Sequence, residues 1–455
     1  MIKKINLEYI LLSLVLIFGF SVRLYKINNP VADWHSWRQA DTASVSKTFV
    51  ERGINLFLPR YHDISSIQTG IFNPEGYRMV EFPIYNALHA VLASNFPAIN
   101  LEVWGRLLTS FIAVLTSFFI FLLGKKYVNK EVGLLACFFY LFLPFNIYFT
   151  RVILPDPLGV LFAVAALYLF DLNIVLSGLI FALALLQKPY FIFYLVPFIP
   201  FFLNKGNLKK SLTFLVIIFV PFLAWRMWMR SFPQGIPFWE WAFNGDRIRF
   251  HPAFWRWIFG ERLGILILGV GGVVPFVMAL TKKPVNKFIL YFLLGMFLYV
   301  SIVASANVRH DYYQILVIPA VSLALAEGSL WLFKRSKILL AVSLLVMFLI
   351  GWDRIKPFYQ VNHPEIIEAG QEIDKITPKD ALIVAPYNGD TAFLYATNRW
   401  GWPAVDNSID NIIEKGGDYY VSVDLASEDT LNFQKMFATV KRTDKYIILD
   451  LHKRI

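Results

Sequence analysis

Apolar runs separated by short polar breaks dominate the chain as far as Gly351. Several reach about 20 residues, the length at which a helix crosses a bilayer. The runs are Tyr9–Tyr25, Leu101–Leu123, Val132–Phe149, Leu158–Phe170, Ile174–Leu186, Phe191–Leu203, Leu212–Trp228, Leu263–Leu280, Phe288–Ser305, Tyr312–Phe333 and Ile338–Gly351. They predict about eleven transmembrane helices, some short and tilted. No small-residue cleavage site follows the run from Leu7 to Val22, so it is read as a retained first helix. The stretch from Asn86 to Phe96 is amphipathic and too short to span, which places it in the membrane interface.

With Lys3-Lys4 taken as cytoplasmic, the alternate loops are 125–130, 171–173, 205–210, 282–287 and 334–337, short and mostly rich in lysine. That is the bias of cytoplasmic loops. It puts the C-terminus outside.

After Gly351 the periodicity changes. Helices are expected at His363–Ile376, Asp390–Thr397, Ile409–Lys415 and Thr430–Val440, and strands at Ala381–Ala385, Tyr419–Val423 and Tyr446–Leu451. Strands alternating with helices imply a small parallel sheet. The division expected is therefore a transmembrane domain over 1–351, with its first outer loop at 26–100, and an extracytoplasmic α/β domain over 352–455 that serves as a lid or acceptor-docking element. Within the latter, the stretch Asn398-Arg399-Trp400-Gly401-Trp402-Pro403 reads as an exposed aromatic loop, suited to stacking on a sugar or touching the membrane.

Composition agrees with this picture. The 455 residues are 57% hydrophobic and 16% charged, with a mean hydropathy of +0.54, values of a polytopic membrane protein with a soluble appendage. The one cysteine, Cys137, lies in an apolar run, which excludes a disulfide framework and a cysteine metal site.

The net charge of +11 divides into lysines on the inner loops and arginines on the outer face. Arg38, Arg60, Arg78, Arg106, Arg151, Arg226, Arg230, Arg247, Arg249, Arg256, Arg262 and Arg309, joined by Lys188, fall where the orientation rule gives them no purpose. A guanidinium fork suits phosphate and stays charged when partly desolvated. Contacts with anionic lipid headgroups are the competing explanation.

Polar constellations share that face. Asp33-Trp34-His35-Ser36-Trp37-Arg38-Gln39-Ala40-Asp41-Thr42 follows the first span directly, and ionisable groups at a membrane surface are too costly to be filler. Thr150-Arg151-Val152-Ile153-Leu154-Pro155-Asp156-Pro157 brings an acid and a base between two spans. Asp156 either orients a substrate or metal, or caps the helix that begins at Pro157. Asn307-Val308-Arg309-His310-Asp311-Tyr312-Tyr313 opens a later span, as a substrate site or as a tyrosine belt with a capping Asp311. Glu81-Phe82-Pro83-Ile84-Tyr85 leads into the interfacial stretch.

In this order the motifs resemble those of the bacterial C-type glycosyltransferases, among them the protein O-mannosyltransferases and the lipid A aminoarabinose transferases. The resemblance covers roughly Met1 to Gly351 and implies their membrane helical bundle with juxtamembrane helices. The segment from Ala40 to Gly53 is similar to the family's juxtamembrane helix opened by an Asp-Glu pair. Asp41 takes the first acidic place and Thr42 departs from the second. Glu81-Phe82-Pro83 stands where relatives often have a basic residue before Pro-Pro.

The chemistry implied is transfer of a sugar from a polyprenyl phosphate to a glycan, lipid or protein acceptor outside the plasma (inner) membrane, with inversion. A carboxylate must take the acceptor proton and cations must stabilise the departing phosphate. Asp41 is the expected base, with Asp33 or Asp156 in reserve. Arg309, Lys188, Arg151 and Arg38 are candidates for the phosphate, and Glu81, His310, Tyr312 and Tyr313 for the rest of the substrate. No glycine-rich phosphate loop requires a nucleotide donor. No metal or other cofactor is assigned, since His35, His62, His251 and His310 lack ligand spacing. Membrane lipids are expected partners and nucleic acid is not.

Two other classes fit parts of the pattern. A transporter of an anionic solute or lipid-linked glycan would use the outer arginines, but two halves with matching broken helices are missing. A non-catalytic envelope scaffold would leave Asp33, Arg38 and Asp41 unexplained.

The orientation is testable. In Cys137→Ala, a cysteine at Ser36 or Gly389 is expected to react with an impermeant thiol reagent on intact cells, and one at Asn129 or Ser336 is not. Labelling at Asn129 but not at Ser36 would invert the topology and remove the basis for an outward-facing transferase.

Overall fold

The computed structural model describes residues 7–455; Lys3-Lys4, taken above as the cytoplasmic marker, lies outside the described residues. The chain forms two compact units. The first comprises the chain up to Ile27, Arg106–Arg226 and Trp239–Phe358; the second comprises Asn28–Gly105, Met227–Phe238 and Tyr359–Ile455.

The first unit is helical. Its apolar helices begin with α1 (Leu7–Val22). Among the described residues four helices are long and apolar enough to cross a membrane: Leu101–Tyr127, Lys205–Met229, Asp311–Phe333 and Lys337–Tyr359. Leu7–Val22, Asp156–Leu169, Ile174–Gln187, Pro189–Leu203 and Lys287–Ile302 are shorter apolar helices. The remaining two expected spans are interrupted. Val132–Phe149 is split at Leu143 into Lys130–Phe142 and Pro144–Phe149, where Pro144 removes a helical donor. Leu263–Leu280 is split into a wide-turned helix, Arg256–Ile267, and Val273–Thr281. Between them Gly269 and Val270 have positive φ, which no continuous right-handed helix permits.

In a bundle without water, every backbone carbonyl left by a helix end needs a donor. Three fully buried arginines supply them here. Arg23 donates to the carbonyls of Gly19 at 2.6 Å and Leu141 at 3.0 Å, and to Thr150 Oγ1 at 2.9 Å. Arg106 donates to Ile27 at 2.8 Å and Arg151 to Lys26. Helices also meet at bare backbone. A Cβ at Gly328 would lie 1.7 Å from the carbonyl oxygen of Pro275, so the helices Ile318–Phe333 and Val273–Thr281 touch main chain to main chain.

The second unit joins the polar segment after α1 to the C-terminal region. It holds α2 (Ser36–Arg52) and α3 (Ile84–Asn95), helices over the segments expected at Ala40–Gly53 and Asn86–Phe96. The C-terminal region contains β1 (Leu382–Val384), β2 (Gly401–Trp402), β3 (Gly417–Ser422), β4 (Phe437–Arg442) and β5 (Ile447–Arg454) in the order β2-β1-β3-β5-β4. The neighbours β2, β1 and β3 are parallel, while β3–β5 and β4–β5 are antiparallel. The sheet is thus mixed where a parallel one was expected. The expected helix Thr430–Val440 ends at Met436 and turns into β4, because Phe437–Arg442 pairs with β5 across a tight connection. The expected exposed aromatic loop is instead β2: Trp402 is fully buried in the sheet core with Val384, Tyr420 and Phe437. Trp400 packs over Gly76 and lies beneath the Arg52 guanidinium, 4.3 Å from the ring centre.

The Gly328 contact generates a stability prediction. Gly328→Ala should lower the thermal midpoint in detergent by the equivalent of about 1–3 kcal/mol, the usual cost of overpacking. Gly260→Ala, with no atom closer than 4.0 Å to the added carbon, is the control. Equal midpoints for the two variants would contradict the close approach.

Candidate active site

Helix α2 is polar yet buried on nearly every side. Arg38, Gln39, Asp41, Thr42, Ser44, Ser46 and Thr48 are all withdrawn from solvent, an arrangement that costs several kcal/mol unless each group is paired. Much of the pairing is local. Thr42, Ser46 and Thr48 donate to the carbonyls of Arg38, Thr42 and Ser44 at 2.8, 3.2 and 3.0 Å. Flanking segments supply more: Asn86 of α3 donates to the Thr42 carbonyl at 2.7 Å, and the His62 amide donates to Ser44 Oγ at 2.8 Å. The helix opens after His35 in a left-handed conformation without a side-chain cap and closes at Gly53.

Asp41 is 1% exposed. Its Oδ2 receives the Arg78 guanidinium at 2.6 Å and its Oδ1 the Thr391 hydroxyl at 2.7 Å. Arg78 also donates to Gln68 and lies over the Tyr61 ring, 5.0 Å from its centre. Asp33 accepts from Gln39 at 2.6 Å. Arg38, a phosphate candidate, and Glu81, a substrate candidate, form an ion pair with one another. Thr42, in the place of the second acid, spends its hydroxyl on the helix backbone.

Beside this group, Asp63 accepts from the Ser65 amide at 2.8 Å and from Tyr61 at 3.3 Å. Burial lifts its carboxyl to about 6, against the hydrogen bonds from Ser65 that favour the ion, with a further push from the Asp41 charge. Burial also holds His62 well below the ordinary imidazole value and therefore neutral at pH 7, and the Lys47 and Arg52 charges act in the same direction.

The first unit gathers the later motifs. Asp156 begins the helix Asp156–Leu169 but makes no side-chain capping bond. Its Oδ1 pairs with Lys188 and its Oδ2 has no hydrogen-bond partner. Lys188 sits at the break between Ile174–Gln187 and the following 3-10 segment. Its ammonium lies 5.2 Å from the centre of the Tyr312 ring and 4.6 Å from that of Tyr313, close enough for cation–π attraction. His310 stacks on both tyrosines, at 5.6 and 6.2 Å. Asp311 pairs with Arg262. The Arg309 side chain is about half exposed; it lies 3.6 Å from an exposed Asp246 and over the Trp241 ring. Arg151, also buried, donates to the Lys26 carbonyl.

Sequence reasoning named Arg78 without a role and overlooked Asp390 and Thr391. The available signal was Asn388-Gly389-Asp390-Thr391, a turn carrying polar side chains just beyond the carboxyl end of an expected strand, where ligands of open α/β sheets collect. Among the described residues no cluster of three or more His, Cys, Asp or Glu side chains is placed to hold a metal.

Comparison with known proteins agrees with the resemblance seen in the motifs. The family model of dolichyl-phosphate-mannose-protein mannosyltransferases matches residues 88–228. No curated protein sequence matches the chain. Among solved structures, ArnT from Cupriavidus metallidurans bound to undecaprenyl phosphate superposes with a TM-score of 0.67 at 12% identity, over 97% of this chain and 98% of ArnT. The Archaeoglobus fulgidus oligosaccharyltransferase in complex with Zn and sulfate gives 0.59 at 11% identity, covering 94% and 71%. The oligosaccharyltransferase AglB of the same organism, with an inhibitory peptide and a dolichol-phosphate, gives 0.56 at 10% identity, covering 94% and 72%. At these identities the likeness is one of fold, the C-type glycosyltransferase fold with a small C-terminal sheet.

The raised Asp63 carboxyl makes a signed pH prediction. The folded state holds this proton to higher pH than the unfolded chain, whose value is 3.8. The stability tied to it is therefore full below that value and lost as pH rises through about 6. Asp63→Asn should flatten the fall in thermal midpoint between pH 4 and pH 7. An unchanged slope would place the effect elsewhere.

Proposed function

We propose that the chain is an integral membrane glycosyltransferase that moves a sugar from a polyprenyl-phosphate donor to an acceptor on the outer face of the plasma membrane. The reading includes about eleven spans over 1–351, two of them interrupted, and an extracytoplasmic domain over 352–455. Its acceptor is an envelope glycan, lipid or protein, and the sugar is a hexose or pentose. Supporting it are the mannosyltransferase family model over 88–228 and the lipid phosphates named with structures of the same fold, undecaprenyl phosphate for ArnT and dolichol-phosphate for AglB.

The observation that carries the reading is Asp41. It is a buried carboxylate on a short helix that begins soon after the first apolar helix, anchored by Arg78 and Thr391. A carboxylate offers about four lone-pair positions, so two donors orient it and leave it able to accept a proton from an acceptor hydroxyl. In the reaction the acceptor oxygen bonds to the anomeric carbon. The bond from that carbon to the phosphate oxygen breaks and its electron pair leaves with the polyprenyl phosphate. The acceptor proton ends on Asp41. One displacement inverts the anomeric centre. Lys188 and Arg309 are assigned to the phosphate charge, where fixed cations matter most as the leaving group departs. Tyr312, Tyr313 and His310 are assigned to the sugar, since stacked rings offer it a flat apolar face.

The test uses purified protein, a labelled polyprenyl-phosphate sugar and a membrane extract. Wild type should release free polyprenyl phosphate. Asp41→Asn, which keeps the shape and loses the basicity, should cut turnover at least about 100-fold and leave donor binding intact. Near-normal turnover in Asp41→Asn would pass the base role to Asp33 or Asp156. No release by the wild type with any polyprenyl sugar would overturn the transferase reading.

A further inference from the structure

Thr391 stands 350 residues from Asp41 in the chain and bonds to it directly. Asn388 and Gly389 both have positive φ, a turn that asparagine and glycine tolerate. It carries the chain from the end of β1 into Asp390. Asp390 then makes two bonds. Its Oδ1 accepts from the Ala392 amide at 2.7 Å, fixing the short helix that follows, and its Oδ2 accepts from Ser36 Oγ at 3.0 Å. Ser36 is the first residue of α2. Next in the chain, the Thr391 hydroxyl lies 2.7 Å from Asp41 Oδ1 and 3.2 Å from the Trp37 carbonyl. Two successive residues of the C-terminal region therefore grip the opening of α2, one at its first residue and one at the carboxylate.

The core around β1 is apolar, built from Val384, Trp402, Tyr420, Phe437 and Ile447, and Asp390 and Thr391 lie outside it. Burial raises the Asp390 carboxyl, against the bonds from Ala392 and Ser36, and the Asp41 charge adds to the rise. Arg78 fixes one oxygen of Asp41 and leaves rotation about that contact. A second donor on the other oxygen removes it. We propose that Asp390 and Thr391 form a clamp by which the C-terminal region positions the Asp41 carboxylate, with Thr391 as the positioning residue. This rests on the role given to Asp41 above. It also assigns the C-terminal region a task other than a lid: in its absence the carboxylate has one anchor instead of two.

The experiment compares full-length wild type, Thr391→Val, Thr391→Ser and Ser36→Ala. Valine keeps the volume and removes the donor; serine keeps the donor. Thr391→Val should lower kcat roughly ten- to hundredfold, the usual effect of losing a hydrogen bond to a charged group, and leave the donor KM within about twofold. Thr391→Ser should recover most of the loss. Ser36→Ala, which opens the other jaw, should lower kcat in the same direction and by less. Infrared difference spectra against Asp41→Asn give a readout independent of turnover, because the Asp41 carboxylate stretch should shift in Thr391→Val and return in Thr391→Ser. An unmoved carboxylate band, or an unchanged kcat in Thr391→Val while Asp41→Asn is inactive, would overturn the clamp and leave the transferase reading standing. A shifted band in a protein whose wild type releases no polyprenyl phosphate would do the reverse. If Thr391→Val fails to fold, Ser36→Ala and Thr391→Ser carry the test, and a band and kcat unchanged in Ser36→Ala would overturn the proposal.

Discussion

The ion pair of Arg78 and Asp41, with both partners withdrawn from solvent, is the contact on which the second unit depends. A buried charge needs a hydrogen-bonding partner, and truncating one side of such a pair outright typically costs about 3–5 kcal/mol. Because Arg78 comes from the loop before α3 and Asp41 from α2, the pair ties α2 to the segment that connects it to α3. The remaining polar groups of α2 are arranged around it. Asn86, Ser44, His62, Arg38 and Glu81 each satisfy a neighbour. Such a network is stabilising only when complete.

In the first unit the same constraint takes another form. A helix that ends inside an apolar bundle leaves carbonyls without water, and arginine, with five donors on a planar fork, can serve several at once. Arg23 answers carbonyls from two segments and a threonine hydroxyl, while Arg106 and Arg151 secure the chain just beyond α1. The arginines that the sequence pattern assigns to the outer face therefore divide by burial. Arg106 and Arg151 are fully buried and donate to backbone carbonyls, whereas Arg309 is about half exposed, near Asp246 and over the Trp241 ring. Lys188 lies between these cases, paired with Asp156 yet set against two tyrosine rings.

The sheet illustrates how few residues decide topology. Gly401 has φ of +154°, and a Cβ there would lie 1.8 Å from the Ile383 carbonyl oxygen, so β2 can lie against β1 only without a side chain at that position. Trp402 then turns into the core. A tryptophan that looks like an exposed binding residue in the sequence becomes the largest buried side chain of the sheet.

Hydrophobic periodicity alone determined the helical membrane character, the amphipathic helix near Asn86–Phe96 and most C-terminal elements, because burial of apolar runs is a local property of the chain; the helix holding Asp41 came from the family resemblance. Periodicity also exposed the Asp41 segment, since charge beside a span is conspicuous in any register. Periodicity failed where length and pairing compete: Phe437–Arg442 continues a helical pattern but pairs with β5, and the runs containing Leu143 and Gly269 carry apolar side chains on a backbone that cannot stay helical. What only the tertiary structure decided is which charges meet. Arg38 with Glu81, Arg78 with Asp41, Lys188 with Asp156 and Thr391 with Asp41 are separated by 43, 37, 32 and 350 residues. Ion pairing and hydrogen bonding depend on distance in space, and no spacing along the chain encodes it.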